Sequence, residues 1–370
     1  MFDTGIRYRI RWYPVVFQIA VLACYLPMYS QQPDRELWHA FSDESKELVG
    51  FKTGQDEIRI PAVFPAFAVA ARKFEDIIGI IEATPDRTFN SYYLLKSGKK
   101  VATDSVYFYD NIQDCESEGT IRFQDPITKK IGFLDKFGKV RIDAEYNWAS
   151  KFKNGMSFAI KNAEKQCLDP SCEHWTWVGG DSMVINKMND VLIRNIRDMQ
   201  NLDRYRMTEL DAATADTTKM YMPSERATVF AFEKYEAAFW QWFEHISGKI
   251  STDEVLYQEI TFWDQKAETW KTINQTDFTS KYNSTIVPII AMVQKNEVPY
   301  FITRNELNPF IFNDEKYEPF FDNCGAPLGD KYPVMGIVIN HRNEKGELYQ
   351  DHLDFLRTDD GYRLISFTIH

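Results

Sequence analysis

Apolar positions in the first half of the chain fall in short alternating runs broken by glycine- and asparagine-bearing turns, a period-2 pattern that predicts β-hairpins. The clearest unit runs from Ile131 to Ala159. Gly132-Phe133-Leu134-Asp135 enters a strand, Lys136-Phe137-Gly138-Lys139 turns, and Val140-Arg141-Ile142 returns. Tyr146, Trp148 and Phe152 follow as aromatic anchors, and Asn154-Gly155 turns into Met156-Ser157-Phe158-Ala159. Weaker copies stand at Gly50-Phe51 with Gly54 and Ile60-Pro61, at Tyr92-Tyr93 with Gly98, and at Met183–Ile193 with Asn189 where glycine stood. The period is about 40 residues, which predicts an array of stacked hairpin units.

The pattern changes toward the C-terminus. Residues 197–224 mix arginine with aspartate and show no apolar periodicity, which predicts a linker. Beyond it, Ser224 is a candidate N-cap for a helix whose buried face carries Phe232, Tyr235, Phe239, Phe243 and Ile246. A second helix is expected over Thr276–Val293, shifted at Pro288. Three strands then close the chain at Val334–Asn340, Leu348–Arg357 and Tyr362–Thr368. The expected fold is therefore an all-β array over 50–196, a linker over 197–224, and an α+β domain over 225–370 with helices first and an antiparallel meander last.

Residues 1–30 stand apart from this scheme. Arg7, Arg9 and Arg11 precede an apolar run from Trp12 to Leu26, short for a spanning helix and followed by Ser30-Gln31-Gln32, which predicts an export signal. Val21-Leu22-Ala23-Cys24 is a candidate lipidation box, with cleavage near Ser30 the alternative. Removing the leader takes away three arginines and one aspartate from a chain of formal charge −11, leaving it more acidic still. Such a chain lacks the basic stripe that nucleic acid requires, and once the signal is removed no membrane span is expected. Cys167-Leu-Asp-Pro-Ser-Cys172 predicts a disulfide closed over Pro170, with half a zinc site including His174 as the alternative; Cys115 and Cys324 are expected as free, buried thiols.

Residues 50–196 resemble WG-repeat proteins, on Gly132-Phe133, Asp135, Gly138, Ile142, Tyr146, Phe152 and Gly155-Met156. The run from Cys167 through Gly179-Gly180 to Lys187 is similar to an insertion of Bacteroidetes members of that family. The resemblance implies structural roles for Gly132, Phe133, Gly138, Tyr146, Phe152 and Gly155, and no shared catalytic residues. The C-terminal order, with Phe239-Trp240 in a first helix and Asp360–Ser366 at the end, resembles NTF2-like and SnoaL-like cones, a fold that houses both enzymes and binding modules.

Chemistry has few candidates. His352 and Asp354 share one face of a strand, with His341 at the end of the strand before and Asp351 on the opposite face. In an aromatic cone they would form an acid/base pair for an isomerase-like or small-molecule-binding site. Trp240, Phe243, Trp263 and Trp270 are candidate pocket or core residues. No cofactor motif and no paired metal motif is present, so the leading expectation is a non-enzymatic exported module of the cell envelope that engages a protein or glycan partner.

Overall fold

The computed structural model describes residues 36–43, 45–84, 88–196, 201–246, 249–250, 252–342 and 345–370. The leader expected over 1–30, with Cys24, lies outside the described residues, as does 197–200 of the expected linker. The chain is mainly β: small antiparallel sheets in succession, then a mixed six-stranded sheet with two helices.

The hairpin turn occurs four times in the array with one hydrogen-bonding scheme, which Asp322/Gly325/Ala326 also adopts outside it. Asp135 N–H donates to Lys139 O at 2.8 Å, Gly138 N–H donates to Asp135 O at 2.9 Å, and Gly138 is left-handed at φ 71°. Thr53/Asp56/Glu57, Leu95/Gly98/Lys99 and Asn186/Asn189/Asp190 repeat both bonds, with Asp56, Gly98 and Asn189 left-handed. In three of these turns the first side chain, from Thr53, Asp135 or Asn186, accepts from two backbone N–H groups inside the turn. The left-handed position of the first unit is thus Asp56, two residues beyond the expected Gly54. Aspartate and asparagine tolerate this conformation, so glycine spacing alone misplaces the turn.

Each turn joins the second and third of three antiparallel strands whose first comes from the preceding segment, and Lys73–Phe74 and Trp148–Ala149 add a fourth strand to the first and last of these sheets. Trp38–Asp43, Leu48–Thr53 and Ile58–Pro65 form the first such set; Ile77–Ala83, Phe89–Leu95 and Lys100–Val101 the second. Thr120–Gln124, Ile131–Asp135 and Val140–Tyr146 form the third, and Met156–Lys161, Asp181–Asn186 and Val191–Arg194 the fourth. The Ile131–Ala159 unit is therefore shared between two sheets. Its hairpin belongs to one, and its tail strand opens the next.

The glycine before the aromatic has a geometric cause. Register steps from Ile131↔Tyr146 to Phe133↔Ile142, so the partner strand gains two residues opposite Gly132. The first unit steps in the same way, from Val49↔Phe64 to Phe51↔Ile60 opposite Gly50. A Cβ on Gly132 would lie 2.6 Å from Ile142 O and 2.8 Å from Ala144 N, so only glycine lets the bulged strand approach. Phe133 and Phe152 are fully buried with ring centroids 4.7 Å apart, and Phe51 and Phe74 repeat the pair at 5.3 Å. Tyr146 is buried and its hydroxyl donates to Asn189 Oδ1 at 2.6 Å, binding one unit to the turn of the next. Gly155 is left-handed, and its N–H donates to Glu118 at 2.9 Å.

Between the array and the C-terminal sheet the structure departs from the sequence reading. Residues expected as the end of a linker and the start of a helix form a three-stranded sheet of Met207–Leu210, Val229–Glu233 and Lys219–Pro223. Ser224 caps the turn of this sheet, its hydroxyl accepting from Arg226 and Thr228 N–H, and helix α1 begins only at Tyr235–Phe243. Val229-Phe230-Ala231-Phe232 takes the strand because two partners satisfy its backbone while Phe230 and Phe232 bury against Phe158, Ile193 and Leu202.

In the six-stranded sheet the order is Thr269–Asn274, Leu256–Asp264, Gly361–Thr368, Leu348–Thr358, Val334–Arg342 and Tyr300–Asn305. The second and third of these run parallel, and the Leu256–Asp264/Thr269–Asn274 hairpin precedes helix α2 (Gln275–Gln294). The arrangement is thus helix, hairpin, helix, strand and meander rather than helices followed by a meander. Asn274 caps α2 by accepting from Asp277 N–H at 2.8 Å. Phe239, Phe243, Phe278, Ile286 and Ile290 of the two helices cover Ile337, Leu353 and Phe355 on one face of the sheet.

Cys115 and Cys324, expected as free thiols, are joined in a disulfide with Cα atoms 5.9 Å apart and a sequence separation of 209. Spacing along a chain carries no information on so distant a pair. Cys167 and Cys172 pair as expected, at the tip of an exposed hairpin. His174 turns instead to Asp169, at 3.0 Å. Two disulfides fit an oxidising compartment and so agree with export. Among the described residues no helix is long and apolar enough to cross a membrane.

Candidate functional site

The strand Tyr300–Asn305 is the edge of the six-stranded sheet and, among the described residues, pairs only with Val334–Arg342. Aromatic and β-branched residues favour the extended form here, and no proline or lysine blunts the edge. Asn340 N–H donates to Pro299 O at 3.1 Å. Antiparallel alternation then turns the backbone groups of Phe301 and Thr303 toward the neighbouring strand and those of Tyr300 and Ile302 outward.

Tyr300 to Arg304 all line one side of a cavity of about 1040 Å³. The rest of the lining comes from Thr217 and Met220 at the intervening three-stranded sheet, from Lys234, the N-cap of α1, and from Tyr235, Glu236, Ala237 and Trp240 of α1, with Trp240 stacked on Tyr300 at 5.4 Å between centroids. A second cavity of about 580 Å³ shares Asn201 and Arg304 with the first and continues to Trp148 and Phe158 of the array. The two form one groove along an open sheet edge, walled by the array and by the C-terminal sheet.

Ion pairs and the disulfide fix the walls. Asp330 accepts from Lys153 at 2.9 Å, from Arg304 at 3.1 Å and from Arg204. Burial would push the Asp330 carboxyl up, but Lys153 and Arg204 outweigh it and hold it below the usual carboxylate range. Lys151 reaches Asp322 at 2.9 Å beside Cys324, and the buried Arg357 pairs with the buried Asp203. The Arg304 guanidinium lies 4.0 Å from the Tyr235 ring centre.

The residues singled out in the sequence lie elsewhere. Leu353 and Phe355 face the helices, so His352 and Asp354 point from the opposite face of the sheet, away from the aromatic core. Ser366 donates to Asp354 at 2.9 Å, and burial raises the Asp354 carboxyl. Asp351 lies 2.9 Å from His341 and 3.5 Å from His370. Neither His352 nor Asp354 lines the groove.

The expected aromatic stripe is divided. Trp240 lines the groove and Phe243 is core, while Trp263 and Trp270 face each other across the hairpin at the far sheet edge. Among the described residues no three His, Cys, Asp or Glu side chains converge as metal ligands. Sequence reading missed Arg204, Tyr300 and Arg304, because the groove is assembled from segments about 100 residues apart and Arg204 lay in the presumed linker.

Comparison with known protein families, with curated proteins and with solved structures finds no match.

Proposed function

We propose that this chain is an exported binding protein of the WG-repeat kind, its hairpin array fused to an NTF2-like domain, and that it holds an extended segment of a partner polypeptide in the groove. The observation that carries the reading is the open edge strand: five consecutive residues, Tyr300 to Arg304, line the cavity, and the outward backbone groups of Tyr300 and Ile302 offer a strand-addition template. A braced groove is preorganised, so little ordering cost falls on the protein when the segment docks. The α1 residues that line the cavity beside the edge leave room for one added strand rather than the sheet of a second copy.

The fourfold turn scheme, the repeated glycine-bulge geometry and the tyrosine-to-turn contact between units support the WG-repeat reading. Export is supported by the two disulfides.

The test is titration of the purified protein with a fluorescent octapeptide of alternating threonine and valine ending in glutamate, and with the same peptide N-methylated at alternate residues. Saturable binding of the first and at least a tenfold loss for the second supports strand addition. Equal binding of the two, or self-association in light scattering with no peptide binding, contradicts it.

A further inference from the structure

We infer that the groove ends in a carboxylate subsite at Arg204, so that the bound segment carries an acidic group at that end; this rests on the strand-addition reading above. The Arg204 side chain is 6% exposed and lies over the Phe158 ring, 4.6 Å from its centre. One terminal nitrogen, Nη2, is engaged by Asp330. The other two donor nitrogens, Nε and Nη1, are buried and have no hydrogen-bond partner among the described residues. Buried charged donors without acceptors are costly, and a carboxylate oxygen brought to Nε or Nη1 would supply a charge-assisted hydrogen bond.

The surrounding charge asks for the same ligand. Asp330 is shared by Lys153, Arg204 and Arg304, and Glu306 lines the same cavity. Asp330 thus serves three cations at once, which makes an added carboxylate electrostatically favourable beside it. A cationic group would leave the Arg204 donors unmade, and a neutral carbonyl would satisfy them without the charge-assisted strength of a carboxylate. Arg204 lines the smaller cavity beside Asn305, one residue beyond Arg304, so a strand laid along Tyr300–Arg304 delivers its terminal residue there.

Four versions of the threonine–valine octapeptide separate the sources of the charge: ending in glutamate or glutamine, each as free acid or as C-terminal amide. Binding at least tenfold tighter for a side-chain acid, or for a terminal acid, over its uncharged counterpart is expected, with the ratio falling toward one in Arg204→Gln. The unaltered protein gives an independent reading, because the acid advantage must disappear as pH falls below about 4, where the ligand carboxyl protonates. Equal affinity of all four peptides overturns the subsite and leaves strand addition standing. An acid preference that persists in Arg204→Gln, shown folded by its thermal transition, also overturns it. Failure of all four to bind sinks both readings.

Discussion

Removing the Cys115–Cys324 bridge is the most informative perturbation of the scaffold. The bridge closes a loop of 209 residues, from the second unit of the array to the segment that precedes the last three strands. Chain-entropy reasoning assigns a loop of this length about 5 kcal/mol of restraint on the unfolded state. Spread over the melting entropy of a domain of roughly 330 residues, that is a fall of about 7 °C in Tm. Cys115 is 2% exposed, so alanine at both positions also forfeits packing against Ile78 and Phe74. The assay compares urea unfolding of the Cys115→Ala/Cys324→Ala variant with the oxidised protein, followed both by tryptophan fluorescence and by far-ultraviolet dichroism. The expected result is a lower midpoint, with Lys151–Asp322, Lys153–Asp330 and Lys73–Glu318 among the contacts that still join the array to the C-terminal part. A midpoint corresponding to less than about 1 kcal/mol of loss would refute the argument that this bridge restrains the chain.

Three further outcomes are expected. Gly132→Ala forces a Cβ against two backbone atoms and should cost about 1–3 kcal/mol or more in denaturant unfolding, whereas Gly54→Ala, with open space around it, should change stability by under about 0.5 kcal/mol. Burial raises the Glu116 carboxyl to about 7, so its contribution to stability is fully present below about pH 4.5 and is lost as pH rises through about 7. The loss is on the order of 3 kcal/mol, and Glu116→Gln, which keeps an acceptor for Asp76 and Ile77 N–H, should flatten that slope in pH-dependent unfolding. Asp203→Asn leaves the buried Arg357 without its counter-charge and should lower stability by roughly 3–5 kcal/mol, read by the same denaturation.

Local rules made much of the fold legible. Alternation and turn chemistry located the hairpin at Asp135–Lys139 and the three closing strands, and helical periodicity located α2 to within a residue or two at each end. The Cys167–Cys172 bridge was legible for the same reason, since both partners lie in one short loop. What escaped depends on long-range pairing. Phe230 and Phe232 fit a helical pattern as readily as a strand, and only the presence of two partner strands decides between them. The Cys115–Cys324 bridge and the Asp330 cluster join residues more than 100 positions apart, and nothing in their local sequence marks them. His352 and Asp354 were visible as a pair, but alternation could not say which face of the sheet the helices cover.

The account stands most directly on amide hydrogen exchange across Tyr300–Asn305, measured on the whole protein with and without saturating threonine–valine octapeptide. Docking as an added strand predicts that the Tyr300 and Ile302 amides slow by at least tenfold, while those of Phe301 and Thr303, already bonded within the sheet, change little. Bound peptide with no slowing at Tyr300 and Ile302 would contradict it.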